Sequence, residues 1–143
     1  MSFVKDLEFG KQNEQIVLER VQELFPLDEW MFSEDKKAVD IISSSWKTIE
    51  CKSDRQTLTT WNVFIEVECN WKKSWIFKYE RLDVLAYSYW ENTLLINVDK
   101  LSTFIEENNS RLKKIKCGDG WRSVGYLIRL EEFTELSSII INN

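Results

Sequence analysis

The segment KKAVDIISSSWKTIECK, Lys36 to Lys52, constrains this chain most. Two apolar runs, Ala38 to Ile42 and Trp46 to Cys51, flank the turn-like Ser43-Ser44-Ser45, a pattern that predicts a β-hairpin or tight strand pair. Side chains alternate along a strand, so Glu50 and Lys52 share one face while Ile49 and Cys51 point to the other. Asp40 is expected to oppose Val39 and Ile41 in the same manner. Two carboxylates and an amine would then converge where adjacent strands lie side by side. Two carboxylates can hold a hard divalent cation beside a phosphate, and a lysine next to that cation can orient or deprotonate an attacking water. The same triplet also arises on charged strands that simply face solvent.

The preceding segment, FGKQNEQIVLERVQELFP, reads as an amphipathic helix. Leu18, Val21 and Phe25 recur at helical spacing, Ile16, Val17 and Leu24 widen the stripe, and Pro26 ends it. Counting back four from Leu18 reaches Glu14, so a carboxylate begins the row expected to face the sheet. A buried carboxylate needs a partner or a metal; alternatively Glu14 lies in the first turns and reaches solvent. Gly10, one turn earlier, would let the backbone approach closely.

After Lys52, SDRQTLTT is polar and turn-like, and WNVFIEVE alternates as a third strand. Val63, Ile65 and Val67 fall on one face, Phe64, Glu66 and Glu68 on the other. Glu66 is a further, alternation-based candidate for the site. The last third predicts two strand–helix units. TLLINV leads into DKLSTFIEENN, with Asp99 as N-cap and Leu101, Phe104 and Ile105 on the buried side. GYLIRL leads into EEFTELSSII. Between them RLKKIKCGDGWRSVG reads as a hairpin or exposed loop.

Composition removes whole reaction classes. The chain has 143 residues and no histidine, which excludes Ser-His and Cys-His nucleophile pairs and histidine-ligated metals. Its three cysteines, Cys51, Cys69 and Cys117, lack zinc spacing. They fit a reduced, cytoplasmic setting, with Cys51 as a small core residue. No apolar run approaches the roughly 18 residues of a membrane span, and Lys5, Asp6 and Glu8 interrupt any leader-like start. The length suits one domain over residues 1–143. A net charge of −5 opposes non-specific grip on nucleic acid. Bases nevertheless cluster at Lys36-Lys37, at Lys72-Lys73 with Lys78 and Arg81, and at Lys113-Lys114 with Lys116. Trp71 and Trp75 lie within the second cluster; Trp75 reads as core, and Trp71 is open to stacking on a base. Trp46 falls on the strand face of Glu50 and could wall the site or cover the sheet edge. Trp61 and Trp90 read as exposed.

Asp40, then Glu50-x-Lys52, preceded by a helical Gly10-x-x-x-Glu14, resembles the PD-(D/E)xK nuclease superfamily. IECKSDRQTLTTWNVFIEVE is similar to small phage-encoded and Holliday-junction-resolvase-like endonucleases. SWIFKYERLDVLAYSYWENTLLINVDKLSTFIEE resembles their next section, and the likeness covers most of residues 7 to 105. Val39 stands where that superfamily commonly has proline. The resemblance implies an α/β restriction-endonuclease-like core of α-β-β-β-α-β type, with a central mixed sheet flanked by helices. It implies Mg²⁺- or Mn²⁺-dependent hydrolysis of DNA phosphodiester bonds by a homodimer acting on branched or duplex DNA. Asp40 and Glu50 would bind metal, Glu14 would add a ligand directly or through water, and Lys52 would position the attacking water. Trp71, Lys72, Lys73 and Lys78 would face the substrate, just after the strand neighbouring the site strand. The competing expectation is a nuclease fold that no longer cuts and binds a protein partner; RNA as substrate stays open as well.

Overall fold

A computed structural model of the chain describes residues 2–34, 39–54, 57–69, 72–73, 83–117 and 122–142. Helix α1 (Ser2–Leu24) leads into β1 (Trp30–Phe32), β2 (Ile41–Ser43) and β3 (Thr48–Ser53). A short α2 (Thr57–Thr60), β4 (Asn62–Cys69) and β5 (Lys72–Lys73) follow. Then come β6 (Val84–Tyr89), β7 (Asn92–Asn97), α3 (Val98–Asn108), β8 (Lys113–Cys117) and β9 (Ser123–Arg129). Helix α4 (Leu130–Leu136) and β10 (Ile139–Asn142) complete the order. Among the described residues no helix is long and apolar enough to cross a membrane.

The architecture is mixed α/β with a central mixed sheet flanked by helices. That sheet has six strands in the order β1-β2-β3-β6-β7-β10. Among the described residues only the β3–β6 pairing is parallel, with Glu50 opposite Leu85 and Lys52 opposite Tyr87. A parallel neighbour requires a crossover connection, and this crossover carries α2, β4 and β5. The expected hairpin forms, but shorter than the apolar runs: Ile41 pairs with Ile49 and Ile42 with Thr48.

The third strand departs from expectation. β4 is not hydrogen-bonded beside β3, whose neighbours are β2 and β6. It belongs to a second, antiparallel sheet in the order β5-β4-β9-β8. The physical reason lies in its two faces. Val63 and Ile65 are fully buried against Leu85, Tyr87, Leu94 and Ile96 of the first sheet, so β4 covers that sheet's face rather than extending its edge. Leu101 and Ile105 of α3 and Phe133 of α4 close the same core. The opposite face, with Ile41, Ile49, Ala86 and Leu95, packs on Val17 and Val21 of α1, and Cys51 joins this layer as expected.

The phase of α1 is rotated from the predicted stripe. Asn13, Val17 and Val21 are buried and Leu18 is partly buried, while Phe25 is 40% exposed. The helix stops at Leu24, so Phe25 leaves the helical row and its ring meets Trp30. Gly10 makes no close approach, since an added Cβ would meet no atom within 4 Å. Gly125 is where the backbone crowds: an added Cβ would run into the Ile65 carbonyl and the Phe64 ring.

Local details differ too. Asn97, not Asp99, caps α3, its side chain accepting from the Lys100 amide at 3.0 Å. Ser137 and Ser138 end α4, and the following isoleucines form β10 beside β7 instead of extending a helix. The lysine-rich β8 and β9 pair as a hairpin. Trp46 is not on the Glu50 strand face. It sits in the β2–β3 turn at φ 67° and is 69% exposed. Trp61 and Trp90 are exposed as expected, also at positive φ. Trp71, Trp75 and Lys78 lie outside the described residues, as do Lys36-Lys37 and Arg81; Lys72 and Lys73 are described in backbone only.

Candidate active site

Asp40 precedes β2 and is held by its own backbone. Its N–H donates to the Ile49 carbonyl at 3.2 Å, and its carbonyl accepts from the Ser33 amide at 2.8 Å. The chain does not alternate regularly here: Val39 packs in the core shared by the two sheets and Ile41 in the layer under α1. The irregularity frees the Asp40 carboxylate to reach across to β3, where Oδ2 accepts from the Cys51 amide at 2.8 Å. Asp40 is thereby clamped beside Glu50, one residue earlier on that strand. Both residues are largely withdrawn from water, at 9% and 8% exposure.

Lys52, two residues beyond Glu50, places Nζ 3.4 Å from Glu50 Oε1. Its own side chain keeps 44% exposure, so the ammonium stands at the mouth and the carboxylates lie behind it. Burial, then the charge of Asp40, push the Glu50 carboxyl up to about 7; Lys52 pulls the other way, and Glu14 adds a smaller upward push. A charge-bearing site of this kind, buried and perturbed by named neighbours, is a functional candidate on physical grounds.

Glu14 is half-buried on α1, which packs against β3. It acts on Glu50 through space. Among the described residues no group of three or more Cys, Asp or Glu is arranged to hold a metal ion. Asp40 and Glu50 are two carboxylates set side by side on neighbouring segments. Mg²⁺ commonly takes one or two carboxylates and completes its shell with water and substrate oxygens. The charge of Asp40 raises the proton affinity of Glu50, a repulsion that a divalent cation between the two carboxylates would relieve.

Two residues that the sequence reading missed join the site. Asp54 continues the row of Glu50 and Lys52 at the same spacing of two, and it was hidden in a segment read as a polar turn. Tyr87, opposite Lys52 in register, donates its hydroxyl to Asp54 Oδ2 at 3.3 Å and lies 2.7 Å from the Thr57 hydroxyl. Burial pushes the Tyr87 hydroxyl well above its ordinary range, so it stays protonated. Glu66 of β4 lines, with Lys52, Asp54 and Tyr87, a cleft of about 220 Å³. Its Oε2 accepts from the Ser123 hydroxyl at 3.0 Å.

No protein-family model matches the chain, no curated protein matches it, and no solved structure matches it.

Proposed function

We propose that the chain is a metal-dependent deoxyribonuclease that hydrolyses DNA phosphodiester bonds, with Asp40, Glu50 and Lys52 as its reacting groups. One observation carries this reading: Asp40 and Glu50 are clamped together behind a half-exposed lysine ion-paired to one of them. Such a set has little use in a core, where paired hydrophobic side chains would be no less stable. Its chemistry suits a phosphodiester, whose hydrolysis requires charge neutralisation and a placed water. Mg²⁺ or Mn²⁺ held by Asp40 and Glu50 would supply Lewis acidity toward the phosphate and the water. Lys52 would orient that water and meet charge developing on phosphate, and Glu14 would tune the pair or bind through water. The antiparallel β1-β2-β3 run, its crossover and the parallel β6 are compatible with a restriction-endonuclease-like core.

A second reading, a nuclease-like module that binds a protein, draws support from Trp46, Trp61 and Trp90, which are 64–69% exposed. One assay separates the two. Purified protein is incubated with linear, circular and four-way-junction DNA in Mg²⁺, Mn²⁺ or EDTA. Metal-dependent cleavage of any substrate supports the nuclease. Intact DNA under every condition would overturn the deoxyribonuclease and leave the binding module, or cleavage of RNA, as the readings to test.

A further inference from the structure

The charge of this chain is unevenly spread. Between Arg111 and Arg129 stand Arg111, Lys113, Lys114, Lys116, Arg122 and Arg129 against one acid, Asp119, in a chain of net charge −5. Strands β8 and β9 fold this stretch into a hairpin, and all six bases are exposed. Like charges crowded on one element repel one another, and a polyanion relieves that repulsion. The two ends of the hairpin differ. At one end the bases are answered within the chain: Arg111 pairs with Glu132 at 2.9 Å, and Arg111, Lys113 and Arg129 line a cavity with Glu131, Glu132 and Glu135. At the other end, among the described residues, Lys114, Lys116 and Arg122 form no ion pair. Lys114 rests over the Tyr126 ring, 6.0 Å from its centroid. Lysines on an edge strand also discourage strand pairing, but Arg122 lies outside the edge strand, at the entry to β9.

Strand register fixes where this patch stands. Lys114 lies opposite Tyr126, and Tyr126 opposite Ile65. Lys116 lies opposite Val124, and Val124 opposite Glu68. Ile65 lines the cleft that Lys52 also lines. Two strand spacings therefore separate Lys114 from the wall of that cleft, about 10 Å along one hydrogen-bonded sheet. Lys114 and Lys116 share a strand face about 7 Å apart, so each can take its own phosphate. The rings select between forms of nucleic acid. Proteins grip single strands with aromatic side chains on which bases stack. Among the described residues of the hairpin the one aromatic ring, Tyr126, is half-buried and packs against the core, so the hairpin offers charge without a stacking platform. We infer that Lys114, Lys116 and Arg122 form a docking patch for the phosphate backbone of duplex DNA, beside the phosphate that Lys52 meets. The inference rests on the nuclease reading above and deepens it.

The test measures binding apart from cutting. A fluorescently labelled DNA duplex is titrated with the full chain in Ca²⁺, by anisotropy, over a range of salt concentrations. Lys114→Ala, Lys116→Ala and Arg122→Ala together should weaken binding and reduce the slope of log affinity against log salt by nearly three units, about 0.9 per contact. A control with the same change of charge, Lys11→Ala with Lys47→Ala and Lys100→Ala, should keep the wild-type slope. Should the patch variant fold poorly by circular dichroism, Lys114→Gln with Lys116→Gln replaces it, with a fall of about two units. In Mg²⁺ the patch variant should need more DNA for half-maximal cutting and keep its maximal rate, since Asp40, Glu50 and Lys52 are untouched. Slopes that fall equally in patch variant and control would overturn the patch, because net charge alone would then be felt. An unchanged slope, or a fall seen on single-stranded DNA and not on duplex, would overturn it too. The two readings fail separately. A wild type that binds duplex, with the slope change above, but cuts nothing upholds the patch and sinks the nuclease. A wild type that cuts, with a patch variant that binds as tightly, sinks the patch alone.

Discussion

Asp40 and Cys51 are joined by a 2.8 Å hydrogen bond from the Cys51 amide to the Asp40 carboxylate, which fixes Asp40 beside Glu50. The bond uses backbone as donor, so it positions the carboxylate without neutralising it. The charge remains for Glu50 to feel, and it is the largest influence on that carboxyl after burial.

The first prediction concerns Lys52. Its ammonium reaches Glu50 but stays 44% exposed, so it can meet a phosphate without being a ligand. Lys52→Ala should slow cleavage by about 10²-fold or more, the size of a lost acid–base or electrostatic group. Calorimetric titration with Mn²⁺ should still show binding. Normal cutting by this variant would reduce Lys52 to a surface charge.

The second follows from the Glu50 carboxyl, raised from 4.5 to about 7. Between those values the folded chain keeps a proton that the unfolded chain has released. Stability should therefore fall as pH rises through that window, by up to about 3 kcal/mol in the absence of metal. Glu50→Gln removes the titration, so its urea midpoint should change less than that of wild type between pH 4.5 and 7.5 in EDTA. Parallel curves for the two proteins would mean that Glu50 ionises at an ordinary pH.

Much of this site was legible because strand alternation is rigid. Once Glu50 and Lys52 lie two apart on β3, they share a face whatever the rest of the fold does. Asp54 was legible by the same rule and was lost only because Ser53 and Asp54 resemble turn residues. The position of β4 was not legible. Alternation says that Val63 and Ile65 share a face, but not whether that face is buried by edge pairing or by stacking on another sheet. The rotation of α1 was hidden for a related reason. Its stripe is broad enough that Leu18 or Val17 could lead it, and tertiary packing against Ile41 and Ile49 decided for Val17. Val39 and Ile41 parted because the chain bends at Asp40, which no periodicity records.

A third prediction separates the roles open to Glu14. It is half-buried on α1 and raises the Glu50 carboxyl from a distance. Glu14→Gln should lower the pH at which Glu50 ionises and weaken cleavage far more than it changes the melting temperature. Lost stability with normal activity would make Glu14 structural. A variant unaltered in rate, ionisation and melting would show that Glu14 serves neither the site nor the fold.

The fourth concerns how an acidic chain holds DNA. Strand β5, Lys72–Lys73, pairs with Glu68 and Cys69 at an edge of the second sheet. If both lysines meet phosphates, Lys72→Ala with Lys73→Ala should reduce the slope of log affinity against log salt by about two units, one per contact. The titration is done in Ca²⁺ to limit cutting. Equal slopes would leave these lysines as edge charges that discourage strand pairing and shift attention to Lys113 and Lys114 of β8.

The most direct measurement of the central claim is metal-dependent cleavage by wild type, Asp40→Asn and Glu50→Gln, each first shown to fold by circular dichroism. Asn at position 40 can still accept from the Cys51 amide, so the fold should survive while the charge is lost. The account predicts that wild type cuts DNA in Mg²⁺ or Mn²⁺ and not in EDTA, and that both folded variants are inactive. Undiminished cutting by either folded variant, or cutting by wild type in EDTA, would contradict it.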